Sequence, residues 1–375
     1  MKIKEYNPLK RSIVAVIATM ALFSCSDWTE TESLNIKTPT LEEENPALYE
    51  AYISSLNEYK KSEHKVTIVK FDNKETDPAG QGERITALPD SIDFVILNNA
   101  DNLNAVTIDD MQKIRLKGTH TLYSIDYSII EKEYEAMLEN EETPEEDTKV
   151  QDENTGEEEM TTDRFLEFCV PFRRIFCISS MEYYLGLFSK YKYDGINVIY
   201  SGIDPLALSE TEKSQLEARQ QIFFGKIEAW KNTNVNATFI FEGKPQNLLY
   251  DKSLLQKTNF IIIPVVDAVN REDILFTTNM ALVEGVPTGR IIYGVTIPSL
   301  TDSKDQTGYF EAQENGSPMY AVKGAALAVI SNNNNNFVQT GLCISRSQND
   351  YYFGVKSNYK NIKEAISIMN PSPLN

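Results

Sequence analysis

Residues 191–201 contain polar side chains at alternating positions, as on one face of a strand. The apolar and β-branched residues in this stretch predict a strand over Gly195–Tyr200. Side chains on a strand alternate between faces, so Asn197, Ile199 and Ser201 lie on one face. Serine does not supply a proton near neutral pH, and isoleucine has no polar group with which to orient a substrate. The face therefore carries no side chain that could act as a general acid.

Eight short apolar segments are predicted to be strands, with helical or loop stretches between them. They cover residues 65–71, 92–97, 119–126, 195–200, 238–242, 260–266, 290–297 and 325–330. Near-continuous apolar runs are typical of strands buried on both sides in a parallel sheet. The pattern favours an α/β fold, a (β/α)8 TIM barrel, with an open doubly wound sheet as the alternative. No glycine-rich phosphate loop follows a predicted strand, which disfavours the nucleotide-binding form of that alternative.

Helix signals fall between and around these strands. Apolar residues at three- and four-residue spacing predict a helix over Pro46–Lys61. A capping box of Ser209 and Glu212 opens a second helix that continues to about Trp230. The stretch Asn361–Met369 predicts a helix at the end of the barrel.

Acidic residues are concentrated in one segment. The chain has 375 residues and a net charge of −19, of which residues 131–160, with 14 acidic side chains and two lysines, carry −12. Such a composition cannot bury enough apolar surface to offset its ordering entropy, so 131–163 is predicted to be a disordered insertion after the third strand. A calcium site or a partner-binding tail is the alternative, but the D-x-D-x-D-G spacing is absent. A negative surface repels phosphate backbones, so no nucleic-acid partner is expected.

The first thirty residues are predicted to direct export. A basic start precedes the apolar run Ile13–Phe23, which is shorter than the ~20 residues of a membrane span. Leu22-Phe-Ser-Cys25 resembles the lipobox of bacterial lipoproteins, and the acidic residues after it resemble the tether of Bacteroidetes lipoproteins. This resemblance implies a signal peptide over 1–24 and a lipid anchor and tether over 25–44, with the lipid on Cys25, which leaves 45–375 for the predicted barrel. It also implies a lipid-anchored, surface-exposed location on the outer membrane.

The remaining cysteines and the histidines do not suggest a metal centre. Cys169, Cys177 and Cys343 are three in number and lie in apolar surroundings, so they are predicted to be small buried residues. The two histidines, His64 and His120, have no ligand spacing around them. We therefore expect neither a metal nor a cofactor, and no Ser-His-Asp arrangement.

Several segments resemble glycoside hydrolase family 18, the family of chitinases and endo-β-N-acetylglucosaminidases. Residues 194–201 are similar to its D-G-x-D-x-D-x-E strand, and 91–98 and 116–126 are similar to its second and third strands. Residues 365–371 resemble the last helix of a Bacteroidetes lipoprotein branch. The resemblance spans roughly Lys65 to Pro371 and implies a TIM barrel.

The motif departs from the family where the resemblance places the catalytic groups. Asp194 and Gly195 match the motif, but Asn197 stands at the first inner aspartate. Ile199 stands at the aspartate that orients the substrate's acetamido group, and Ser201 at the glutamate that acts as general acid. The resemblance therefore implies a catalytically inactive protein. Asp204, the nearest carboxylate downstream, has the opposite parity and lies in a predicted loop.

Three functions remain open from the sequence. The first is binding of N-acetylglucosamine-containing glycans, N-glycans among them, without hydrolysis. Loop tyrosines are candidates for stacking on sugar rings: Tyr250, Tyr309, Tyr351 and Tyr352. The second is an active endo-β-N-acetylglucosaminidase whose acid lies elsewhere, and the third is a non-binding scaffold beside neighbouring outer-membrane uptake proteins.

Overall fold

The computed structural model describes residues 41–132, 180–314, 316–331, 336–353 and 357–371. Chain contacts define one unit over residues 1–52 and a second over 53–375. The described part of the first unit consists of helix α1 (Leu41–Glu44) and the start of helix α2 (Pro46–Lys61). The predicted signal peptide, Cys25, Cys169, Cys177 and all but the first two residues of the predicted insertion lie outside the described residues.

Eight parallel strands of the second unit close into a barrel. They are β1 (Val66–Phe71), β2 (Phe94–Leu97), β3 (His120–Asp126), β4 (Gly195–Tyr200), β5 (Thr238–Gly243), β6 (Phe260–Pro264), β7 (Ile291–Thr296) and β10 (Gln339–Ser345). Their order around the barrel is β1-β10-β7-β6-β5-β4-β3-β2. The predicted TIM barrel is therefore confirmed, and each of the first seven predicted strands is found within two residues of its predicted ends.

Helices surround the barrel and connect its strands. They include α3 (Ala105–Leu116), α4 (Glu210–Thr233), α5 (Arg271–Ala281), α6 (Ala321–Ile330), α7 (Asn349–Phe353) and α8 (Lys360–Met369), with helical residues also at 127–132 and 180–191. The predicted capping box is present at the start of α4, because the side chains of Ser209 and Glu212 each accept a hydrogen bond from the other's backbone N–H. Within the described part of the chain, no helix has the length and apolarity needed to cross a bilayer.

The eighth predicted strand was wrong. Residues 325–330 belong to helix α6, and the eighth barrel strand is β10. Alanine is the strongest helix former, and α6 is buried on most sides, so its sequence has no polar stripe to reveal the helical period. Two antiparallel strands, β8 (Tyr309–Glu314) and β9 (Ser317–Tyr320), precede α6. Of the five consecutive asparagines at 332–336, predicted to form a polar loop, the first four lie outside the described residues.

The barrel interior changes from apolar to polar along the strands. Its apolar part is one buried cluster: Ile68, Ile96, Leu122, Ile240, Ile262, Ile292 and Cys343. Two residues further along β1 and β5 stand Lys70 and Glu242, at the end where the strands open into their following loops. The polar side of the barrel is therefore its carboxyl end, where the binding sites of such barrels lie.

Candidate functional site

Strand β4 presents its predicted face to the barrel interior. Asn197 is completely buried and pairs in register with Ser124 of β3 and Ile240 of β5. Ile199 pairs in register with Asp126 of β3 and Glu242 of β5, so it occupies the next interior layer. Ser201 follows the last residue of β4 and is exposed at the barrel mouth.

A buried ion pair crosses the interior beside these positions. Lys70 Nζ lies 2.5 Å from Glu242 Oε1, and the Asn197 amide donates to Glu242 Oε2 at 2.6 Å. Burial opposes the charged form of lysine, but the charge and hydrogen bond of Glu242 outweigh it, so the pKa of Lys70 is raised. Both oxygens of the Glu242 carboxylate are thus engaged by donors.

Sequence patterns did not reveal this pair. Glu242 lies near the end of a strand of mostly apolar residues and shares the parity of Ile240, which is the signal that places a charge inside the barrel. Lys70 has the same parity as Ile68 in β1. Nothing local connects the two residues, because they lie 172 positions apart in the chain.

The matching half of the motif lies at the opposite end of β4. Asp194 accepts hydrogen bonds from the Arg115 guanidinium at 3.0 Å and from the Thr121 backbone N–H at 2.8 Å. Burial would raise the pKa of Asp194, but the donors, which include His120, lower it to about 2. A Cβ on Gly195 would clash with the Thr238 carbonyl of β5. These two residues therefore hold β3, β4 and β5 together and stand away from the mouth.

A cleft of about 270 Å³ opens at the carboxyl end, on the β2 and β3 side. Amide, carboxylate and tyrosine side chains line it, among them Glu75, Asn98, Asp101, Asp126, Tyr183 and Tyr184. The Tyr183 side chain is about half exposed, at 52%. The cleft thus combines a flat aromatic surface with several hydrogen-bonding groups, as small-ligand sites commonly do.

The carboxylates at the mouth already have partners. Asp101 accepts from Lys190 at 2.6 Å, from Tyr191 at 2.6 Å and from Tyr183. Burial would raise the pKa of Asp101, but these donors hold it well below its usual range. Asp126 accepts from the backbone N–H and the hydroxyl of Ser128, both at 2.8 Å.

Asp204, the alternative acid in the loop after β4, is also committed. It is exposed and accepts from the Leu206 backbone N–H at 2.9 Å, which caps the short helical turn Pro205–Ala207. Its role in this structure is to shape the loop that follows Ser201. A carboxylate at position 201 itself is absent because the residue there is serine.

The four predicted tyrosines do not line this cleft. Tyr250 is buried and donates to Glu228 at 2.7 Å, and burial raises its pKa to about 12. Tyr309 starts β8 and packs against Tyr320. Tyr351 and Tyr352 lie in α7, after the eighth barrel strand. We therefore leave Tyr250 out of a glycan surface, whereas glycan contact by the other three stays a prediction.

Metal ligation finds no support among the described residues. No group of three or more histidine, cysteine or acidic side chains is placed there to hold an ion. Cys343 is buried inside the barrel as a free thiol, and burial raises its pKa to about 12. A coordinating thiol requires the deprotonated form, so Cys343 is unsuited to that role.

Comparison with known proteins identifies the relationship. The sequence model of the family described as glycoside hydrolase family 18, BT1044-like, matches residues 29–368 of this chain. A solved structure of BT1044, in a selenomethionine form with one glutamate replaced by glutamine, is 15% identical, with a TM-score of 0.58 over 88% of this chain and 95% of that one. A family 18 chitinase from Pseudoalteromonas aurantia is 12% identical, with a TM-score of 0.48 over 80% of this chain and 99% of that one.

A chitinase from Bacteroides thetaiotaomicron is 13% identical, with a TM-score of 0.45 over 82% of this chain and 97% of that one. Among curated protein sequences, none matches the chain significantly. At these identities the likeness to solved structures concerns the fold alone.

Proposed function

The chain belongs to glycoside hydrolase family 18, BT1044-like, and we propose that it is a member that binds glycans without hydrolysing them. The observation that carries this proposal is the interior face of β4. Ile199 and Ser201 occupy the positions at which the family motif has the acetamide-orienting aspartate and the acid. General acid catalysis contributes typically 10²–10⁴ in rate, and the assisted nucleophile is lost as well.

The nearby carboxylates support the same proposal. Glu242 is engaged by Lys70 and Asn197, and Asp126 by Ser128. A general acid needs a proton to donate and a position beside the glycosidic oxygen. Both oxygens of Glu242 already accept hydrogen bonds, which suits it poorly to that role, and one oxygen of Asp126 accepts from Ser128 at the helix start.

The cleft supplies the chemistry of sugar recognition. Sugar hydroxyls pair with amide and carboxylate groups, which Asn98, Asp101 and Asp126 offer, and sugar C–H faces pack on tyrosine rings such as Tyr183. Three donors fix the Asp101 side chain, so little ordering entropy is lost on binding. We infer that the ligand contains N-acetylglucosamine from the family resemblance, and that an N-glycan core is a suitable first probe.

The cellular location is part of the proposal. The lipobox-like sequence ending at Cys25 and the short apolar run before it support export and lipid anchoring. An anchored glycan-binding protein would act at the outer surface, beside outer-membrane proteins that take up glycans. Metabolic labelling with a fatty-acid analogue tests the anchor: label is expected on the chain and lost in Cys25→Ala.

Native mass spectrometry tests binding and hydrolysis together. Residues 26–375 are incubated with free N-glycans that retain the chitobiose core, at concentrations up to hundreds of micromolar. We expect a bound, uncleaved complex. Cleaved product would overturn the proposed inactivity, and the absence of any complex would overturn glycan binding in favour of the scaffold.

A matched pair of variants locates the binding surface. Tyr183→Ala removes an exposed ring from the cleft, and Tyr352→Ala removes a ring of similar exposure, 61%, outside it. We expect Tyr183→Ala to weaken binding about fivefold to tenfold, as loss of one aromatic contact does, and to weaken it more than Tyr352→Ala, which tests one of the tyrosines predicted from the sequence. The reverse result would move the site to the loops after β10.

A further inference from the structure

A second cavity, of about 330 Å³, lies at the amino end of the barrel, opposite the cleft. Four of its lining residues are the first residues of barrel strands: Val66 of β1, Phe94 of β2, His120 of β3 and Phe260 of β6. The end of helix α2 and the segment after it supply the rest of the wall. Its volume is within the ~300–1,000 Å³ of small-molecule sites.

Aromatic rings form one side of this cavity. Phe94 and Phe260 meet edge to face with ring centroids 5.8 Å apart. The His120 ring stacks on Phe94 at 5.7 Å, with 29° between the planes. Both phenylalanines are only partly buried, although they point into the barrel. They leave an apolar surface on which a flat or ring-shaped molecule can pack.

Lys60 supplies a positive charge with neutral partners. Its ammonium donates to the Ile92 carbonyl at 2.7 Å and to the Thr119 hydroxyl at 2.5 Å. Among the described residues it has no carboxylate at ion-pair distance. Burial lowers the pKa of Lys60 to about 8, against the weaker opposite effect of Asp93 and Asp90. An ammonium that is partly desolvated in this way gains from an anionic ligand.

The other charges around the cavity nearly balance. His64 places one ring nitrogen 2.8 Å from the Ser62 carbonyl and the other 3.0 Å from Asp93. Because both neighbours are acceptors, the imidazolium form is favoured, and the hydrogen bond to Asp93 raises the pKa of His64. Lys61 and Glu63, both exposed, offset each other at the rim. Within the described lining, Asp93 thus has His64 as its partner, whereas the Lys60 ammonium donates to neutral acceptors.

We propose that this cavity is a second binding site, for a monosaccharide that bears a carboxylate. The carboxylate would pair with Lys60, the C–H face of the ring would pack on Phe94 and Phe260, and hydroxyls would meet Asn57 and Ser62 at the wall. Active sites of such barrels lie at the opposite end. The ligand would therefore be bound here and not converted, and the site is independent of the cleft and of the glycan-binding proposal.

Calorimetric titration with three probes tests the ligand class. D-glucuronate is the acidic sugar, D-glucose has the same ring without the carboxylate, and benzoate has a carboxylate on a ring without hydroxyls. We expect glucuronate to bind at least about tenfold more tightly than either of the others, since a charge-assisted hydrogen bond is lost with glucose. Equal binding of glucose would overturn recognition of the carboxylate, and equal binding of benzoate would overturn recognition of a sugar.

Variants place the ligand in the cavity. Lys60→Gln should weaken glucuronate binding at least about tenfold, whereas Lys113→Gln, an exposed lysine of α3 outside the cavity, should not. Phe260→Leu keeps Lys60 and reduces the aromatic surface, so it decides the question if Lys60→Gln fails to fold. Tyr183→Ala in the cleft should leave glucuronate binding unchanged. Loss of binding in Tyr183→Ala, or full binding in Phe260→Leu and Lys60→Gln, would overturn the site.

The pH dependence gives an independent readout. The groups that line the cavity and titrate or carry charge are Lys60, Lys61, Glu63, His64, Asp93 and His120, and Asp90 and Lys117 also act on Lys60 from nearby. Glucuronate affinity should fall as the pH rises above about 8, because Lys60 then loses its proton. The Lys60→Gln variant should lack this fall. An affinity that is constant from pH 7 to 9 in the unsubstituted chain would contradict a role for Lys60.

Discussion

The two ends of strand β4 carry the two halves of one motif, and the two halves differ in how well they match the family pattern. At the amino end, Asp194 and Gly195 match the family pattern, and each has a structural task that involves the neighbouring strands. At the carboxyl end, Asn197, Ile199 and Ser201 depart from it. The half of the motif with a structural task therefore matches the family pattern, whereas the half to which the resemblance assigns the chemistry differs from it.

An ion pair lies beside each end of strand β4. Asp194 is paired with Arg115 at the amino end, and Glu242 with Lys70 at the carboxyl end. Removal of one member of the buried Lys70–Glu242 pair would leave an uncompensated charge, which is strongly destabilising. The charged groups inside the barrel mouth therefore come from β1 and β5. In the family motif, the charged groups would come from β4.

The amino end of β4 should be the more sensitive to substitution. Gly195→Ala places a Cβ against the Thr238 carbonyl, a backbone atom that cannot move without shifting β5. We expect a loss of about 3 kcal/mol or more in the free energy of unfolding, measured by chemical denaturation. Gly186→Ala, in open space within a helix, is the matched control and should be neutral or stabilising by up to ~1 kcal/mol. Equal effects of the two substitutions would refute the close approach of β4 and β5.

Restoring the carboxyl end should produce activity. The double variant Ile199→Asp with Ser201→Glu returns the acetamide-orienting and acid groups to the interior face. We expect it to release product from chitobiose-containing glycans at least ~10²-fold faster than the unsubstituted chain. The pairing of Ile199→Asp with Ser201→Gln is the control of similar shape, and it should remain inactive. Hydrolysis by the unsubstituted chain at a comparable rate would show that another residue is the acid.

The ion pair at the mouth predicts that an aspartate is poorly tolerated at 197. Asn197→Asp would set a second carboxylate against Glu242 Oε2, now 2.6 Å from the amide nitrogen. We expect a loss of about 2 kcal/mol in stability at pH 7, because two buried like charges repel. Asn236→Asp, at an exposed position, should change stability by less than ~0.5 kcal/mol at the same pH.

The smallest expected effect is a dependence of stability on pH at the amino end. The pKa of His64 is raised in the folded protein by Asp93, so its contribution is fully present below the unfolded value of ~6.5. That contribution is lost as the pH rises through the raised value. Between pH 6 and 8, thermal denaturation should show stability falling by up to about 1 kcal/mol, and His64→Asn should remove this slope. A rise over the same range would reverse the assigned sign.

Much of the fold was predictable because its signals are local. The apolar runs of β1 to β7 and the capping box of α4 act through neighbours in the chain, and the structure has them where the sequence predicted. Residues 325–330 show where this reasoning fails. An alanine-rich helix buried on most sides has no polar stripe, so its sequence resembles a buried strand.

The candidate site also has one part that the sequence predicted and another that only the folded structure revealed. Side-chain alternation along 195–201 was enough to place an amide, an isoleucine and a serine on one face of the strand, since that periodicity is a property of the extended backbone. The folded barrel was needed to bring Lys70 to Glu242, to form the cleft beside β2 and β3, and to enclose a cavity with the starts of four strands. Those juxtapositions depend on the closure of the barrel, which joins residues far apart in the chain, and no local pattern encodes them.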